Sequence, residues 1–157
     1  DIARLMASVE KPALYVLDNA PNCSADRINE RSEAFFRVIR DAHPDVPVVI
    51  VEHPLYPTMR LNNYAREDIT ARNNAQKAFY EKLRKAGEKR IYYVSADKLL
   101  DEMKEGTVDG NHFTDLGVTY YVNAILPTIK KALKASPYPM FRSTSVGFSG
   151  SFSYSPQ

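Results

Sequence analysis

The stretch "VPVVIVE" (46–52) decides how the rest of the chain folds. Apart from Pro47, every residue from position 46 to 51 is β-branched, so χ1 stiffness favours a strand. The run shows no alternation of apolar and polar residues. A strand of that kind is buried on both faces, and parallel sheets covered by helices on each side supply such a place.

A buried strand needs neighbours, and two further short apolar runs provide them: "ALYVLD" (13–18) and "RIYYVS" (90–95). Helical periodicity fills the gaps. Residues 28–42 carry Phe35, Phe36, Val38 and Ile39 and end near His43-Pro44. Residues 66–86 carry Ile69, Ala75, Ala78, Phe79 and Leu83, with Gly87 as a C-terminal stop. A last helix is predicted over 115–133, with Tyr121, Ala124, Ile125, Ile129, Ala132 and Leu133 on one stripe. Thr114 is its expected N-cap, and Pro127 inside it should produce a kink. Ile2, Leu5, Met6 and Val9 mark a further helix at the start. Strand and helix in alternation imply βαβ units and a parallel sheet sandwiched between helices.

Three strands make a thin sheet, so a further strand is expected from elsewhere. The sequence has no initiator Met and opens in a helical pattern. A longer or processed parent, incomplete here at the N-terminal side, is the expectation. Residues 1–135 read as one α/β domain. Residues 136–157 are rich in Ser, Pro and aromatics, lack acidic residues, and read as a low-complexity tail. The alternation in "VGFSGSFSY" (146–154) is also compatible with an edge strand.

Composition narrows the function classes. The 157 residues hold 21 Lys and Arg against 19 Asp and Glu, a balance without a nucleic-acid footprint. No apolar run reaches the ~20 residues of a membrane span. A single cysteine, Cys23, rules out an internal disulfide and a thiol-rich metal site.

Chemistry concentrates in "TVDGNHFTDLGVTYY" (107–121). Asp109 and His112 stand three residues apart in a polar loop after the third strand, where parallel sheets build sites. A carboxylate that holds one ring nitrogen of a histidine fixes its tautomer and makes it a useful general base. Gly110 lets the backbone turn between them. The same spacing also serves capping and solvation.

"VDGNHFTDLG" (108–117), followed by an amphipathic helix, resembles the last conserved block of the SGNH (GDSL-type) hydrolases. "KPALYVLDNAPN" (11–22) is similar to that family's third-strand block, which ends in an oxyanion-hole Asn. "VVIVEHPLYP" (48–57) and "NNAQKAFYEKLRKAGEKRIYYVSADKLL" (73–100) resemble the segments between the two. The resemblance spans roughly residues 2–133. It implies a flavodoxin-like three-layer α/β/α sandwich and ester hydrolysis by a Ser-His-Asp mechanism without metal or cofactor. Asp109 would be the orienting acid, His112 the base and Asn22 the oxyanion donor, with Asn19 competing for the last role. It further implies a small-molecule or carbohydrate ester as substrate, with acetyl or other short acyl groups, and a secreted or periplasmic setting.

The family's nucleophile is a Ser in a G-D-S block ahead of these segments, and no G-D-S occurs in the sequence. The block order assigns that role to neither Ser24 nor Ser95. The expectations are therefore a Ser elsewhere in the parent protein, a noncatalytic binding domain that has lost it, or a Ser from a second chain.

Other residues have plainer readings beside the functional ones. Glu52-His53 ends a strand and could line a pocket or simply build its loop. His53, Asp109, His112 and Asp115 include metal-ligand types but lack tight ligand spacing. His43 reads as a helix-end histidine complementing the dipole. Tyr56, Met59 and Tyr64, in the loop 54–64, could shape an acyl pocket or pack a lid. Tyr92 and Tyr93 read as core strand.

Overall fold

The computed structural model of the protein describes residues 2–100 and 105–138. Three strands, β1 (Tyr15–Leu17), β2 (Val48–Val51) and β3 (Ile91–Val94), form one parallel sheet in the order β1-β2-β3. Val48 pairs with both Tyr15 and Ile91, and Ile50 with Leu17 and Tyr93. Helices α1 (Ile2–Ala7), α2 (Ala25–Ala42), α3 (Asn63–Lys85) and α4 (Asp115–Leu133) cover it.

Topology follows from chirality. Right-handed crossovers between strands added in one direction place their helices on the same face. Accordingly α2 and α3 share one face, where Phe36, Ile39, Phe79 and Leu83 pack on Tyr15, Leu17, Val48, Ile50 and Ile91. Helix α4, which follows the last strand, covers the other face. There Tyr121, Ala124, Ile125 and Ala132 meet Val49, Val51, Tyr92 and Val94. The result is the expected α/β/α sandwich. All four residues of β2 are fully buried, each contributing about 1.5–3 kcal/mol of burial.

The two outer strands differ from the continuous-burial reading. Val16 of β1 is 38% exposed, because β1 lies at the edge and α4 packs over β2 and β3. Tyr92 and Tyr93 of β3 are half-buried: Tyr93 stacks on Tyr80 and donates its hydroxyl to Glu52.

Helices α2 and α3 start about a turn before their apolar stripes. Ser24 accepts from the Arg27 N–H at 3.3 Å, and Asn62 from the Ala65 N–H at 3.1 Å. A first turn stabilised by its cap needs no apolar face, so periodicity places the start too late. Thr114 caps α4 as expected, accepting from the Gly117 N–H at 3.0 Å, and the helix runs through Pro127 to Leu133. In α1 the apolar stripe is not the buried one: Ile2, Leu5 and Val9 are exposed, while Ala3 is buried and Met6 joins the core. Polar contacts hold helix α1 as well. Tyr15 donates its hydroxyl to the Met6 carbonyl at 2.6 Å, and His43 Nε2 meets the Ala7 carbonyl at 2.9 Å. His43 does sit at the α2 terminus, but its ring serves the carbonyl of α1. Of the expected tail, only residues 136–138 lie within the described residues, and Tyr138 packs against the core; 139–157, with the candidate edge strand, lie outside them.

Candidate active site

The loop between β3 and α4 is folded by its own carboxylate. Asp109 Oδ1 accepts the backbone N–H groups of Asn111 at 2.9 Å and His112 at 2.8 Å. Its other oxygen, Oδ2, stands 2.7 Å from His112 Nδ1. Thr107 and Phe113 close the loop as an antiparallel bridge, and the Val108 N–H donates to the His112 carbonyl at 2.8 Å. Gly110 is at φ +87°, and a Cβ there would stand 2.4 Å from Thr58 Cγ2. The 3-10 turn Pro57–Arg60, which follows β2, thus lies against the loop that follows β3.

Electrostatics suit a histidine base. The His112 backbone N–H, its ring and the Asn111 N–H hold the Asp109 carboxyl well below the usual carboxylate range. An ionised Asp109 is an acceptor for a hydrogen bond from Nδ1–H, the tautomer that keeps the lone pair on Nε2. The pair is open to solvent: the side chains of His112 and Asp109 are 77% and 54% exposed.

The loop is locked to α4 by two glycines in contact. The Thr114 N–H donates to the Gly106 carbonyl at 3.0 Å. A Cβ on Gly117 would stand only 1.8 Å from that same oxygen, so position 117 has no room for a side chain.

On the β1 side, the chain leaves the sheet through the 3-10 turn Ala20–Asn22. The Asn22 N–H closes it on the Asn19 carbonyl at 3.0 Å. Asn19 Oδ1 accepts from Gln76 Nε2 of α3 at 3.4 Å, whereas the Asn22 side chain is exposed. Pro21, adjacent to Asn22, and Phe113, adjacent to His112, line a common cavity of about 250 Å³. Asp18, Pro54, Tyr56, Val118 and Tyr121 complete its walls. The Phe113 ring lies 6.2 Å from that of Tyr56 and 5.3 Å from that of Tyr121. Tyr121 donates to Asp18 Oδ2 at 2.5 Å; burial first, then this bond, raises the Tyr121 pKa far above the usual phenol value.

These contacts distribute the other candidates. Tyr56 lines the cavity, Met59 is buried beneath it beside Ile69 and Leu100, and Tyr64 is exposed away from it. Glu52 and His53 are structural, at 7% and 5% exposure. Glu52 Oε2 accepts the Ala96 N–H at 2.6 Å. Asn73 pairs with both the N–H and the carbonyl of His53, at 2.7 and 3.0 Å. His53 Nδ1 meets the Pro54 carbonyl at 2.7 Å, and burial lowers the pKa of its ring. Among the described residues no group of three or more His, Cys, Asp or Glu is arranged to hold a metal ion, and no helix is long and apolar enough to cross a membrane.

The profile of the GDSL-like lipase/acylhydrolase family matches residues 1–130, which include every element of this site. The chain belongs to that family. A protein from Bacteroides ovatus described as a GDSL-like lipase has a similar structure, with a TM-score of 0.79 and 34% identity over 85% of this chain. The salicylyl-acyltransferase SsfX3 of a tetracycline biosynthetic pathway shares the fold, with a TM-score of 0.68 and 17% identity over 83% of the chain. The matches cover 39% and 40% of those two proteins, so the chain spans about two fifths of their length. No curated protein matches the sequence.

Sequence reasoning missed the polar side chains of α3 that hold the site's frame: Arg72, Asn73 and Gln76. A signal was present. Asn73 and Gln76 fall on the helical stripe of Ile69 and Leu83, where a solvated polar residue is out of place.

Proposed function

We propose that the parent protein hydrolyses esters by a Ser-His-Asp mechanism in which this chain supplies the acid, the base and an oxyanion donor. The observation that carries the reading is the 2.7 Å contact between Asp109 Oδ2 and His112 Nδ1 in a GDSL-like fold. A serine hydroxyl from outside these 157 residues attacks the acyl carbonyl. His112 Nε2 takes the hydroxyl proton, and Asp109 stabilises the imidazolium that forms. The same nitrogen then returns the proton to the departing alkoxide, leaving an acyl-serine that water cleaves by the same steps in reverse roles.

Asn22 donates its amide to the tetrahedral oxyanion, a contribution of about 3 kcal/mol for a well-aimed donor. Asn22 is preferred to Asn19 for this role because its side chain is exposed, whereas Asn19 is half-buried. The mostly apolar cavity lined by Phe113, the residue after His112, fits the acyl portion of a small-molecule or carbohydrate ester. The test is p-nitrophenyl acetate hydrolysis by the full-length protein. The expected result is saturable turnover that His112→Ala abolishes, with no such turnover from the 157-residue chain alone. Turnover indifferent to His112→Ala would exclude the mechanism. A full-length protein without turnover that still binds esters would favour a noncatalytic binding domain.

A further inference from the structure

Within the turn Ala20–Asn22 the Ala20 carbonyl accepts only a long bond, from the Cys23 N–H at 3.4 Å. Arg72 of α3 adds donors to this carbonyl and to that of Pro21. Its Nη1 donates to the Pro21 carbonyl at 2.9 Å and to the Ala20 carbonyl at 3.3 Å. Its Nη2 is held by Asp68 Oδ2 at 2.6 Å, one helical turn back on α3. The three contacts use the planar fork of the guanidinium, which an ammonium group cannot reproduce at once. Beneath the turn, the fully buried Ala20 packs against Ala75 and Ile28. Before it, Gln76 ties Asn19 to the end of β2 by donating to both Asn19 Oδ1 and the Val51 carbonyl, at 3.4 and 3.1 Å. The backbone on the N-terminal side of Asn22 is therefore fixed from α3, and the Asn22 side chain is left exposed.

We propose that Arg72, braced by Asp68, is a positioning residue for acyl transfer: it sets the direction of the Asn22 amide by holding the carbonyls of Ala20 and Pro21. The proposal rests on the assignment of Asn22 as oxyanion donor. Arg72 touches no substrate. It acts because a donor contributes fully only when aimed at the oxygen of the transition state, and a displacement of about 1 Å can cost ~10²-fold in rate. An interaction made only in the transition state appears in kcat and leaves KM nearly unchanged.

The experiment is a double-mutant cycle on the full-length protein with p-nitrophenyl acetate, alongside His112→Ala. Arg72→Ala should lower kcat by about tenfold or more with KM within about twofold. In an Asn22→Ala background the same change should cost almost nothing, because the group it aims is already gone. Arg72→Lys should recover part of the rate, and Asp68→Asn should lower kcat by a smaller factor than Arg72→Ala. If Arg72→Ala does not melt cooperatively, Arg72→Lys and Asp68→Asn carry the cycle instead. Losses that multiply in the double variant would overturn the proposal, as would unchanged kcat in the Arg72 and Asp68 variants or in Asn22→Ala. In each of those cases an inactive His112→Ala would leave the Ser-His-Asp mechanism standing; a fully active one would remove the mechanism itself.

Discussion

Asp109 grips His112 at two points, its backbone N–H at 2.8 Å through Oδ1 and its ring Nδ1 at 2.7 Å through Oδ2. One carboxylate therefore shapes the loop and orients the imidazole ring. The two tasks can be separated by substitution, since an amide retains an acceptor oxygen and loses the negative charge.

Asp109→Asn should keep the loop and lose the chemistry. The Asn oxygen can still accept the backbone N–H groups, so the melting temperature should change little. The ring loses the partner that fixes its tautomer, and kcat of the full-length protein should fall by on the order of 10³–10⁴. Steady-state kinetics and a thermal melt on the same sample check both halves.

Gly117→Ala should be destabilising out of proportion to its size. The added methyl would stand 1.8 Å from the Gly106 carbonyl oxygen, a backbone atom that cannot rotate away. Either α4 or the loop must move, at a cost of about 2–3 kcal/mol typical of overpacking. Urea denaturation measures it, with an alanine substitution of exposed Tyr64 as the control.

Acidification should weaken the fold through His53. Burial lowers the pKa of its ring in the folded state, so the unfolded chain binds the proton more readily. The stabilisation is complete above the unfolded value of about 6.5 and is lost as pH falls below it. Melting temperatures from pH 8 to pH 5 should decline less for His53→Phe, which packs a ring without titrating. Parallel declines for the two proteins would assign the acid sensitivity elsewhere.

The order of elements, the parallel sheet and its three layers were legible because β-branched runs and helical periodicity report burial directly. Val46 to Val51 could sit nowhere but the centre. Exposure of Val16 was not legible, since an edge strand and a central one differ by their neighbours and not by their own residues. The Asp109–His112 pair was legible as a spacing, and its closeness in space follows from local turn chemistry within four residues. The clamp by Arg72 was hidden because it joins residues more than fifty positions apart, through polar atoms that a helical wheel assigns to solvent. The buried role of His53 was hidden in the same way, by Asn73 twenty positions away.

The central claim is that His112 activates a serine lying outside these 157 residues. Labelling the full-length protein with diisopropyl fluorophosphate, followed by peptide mapping, tests it most directly, because the reagent traps only an activated serine. The account predicts one labelled serine outside this chain, with labelling lost in His112→Ala. A label on a serine within the 157 residues, or labelling that survives His112→Ala, would contradict it.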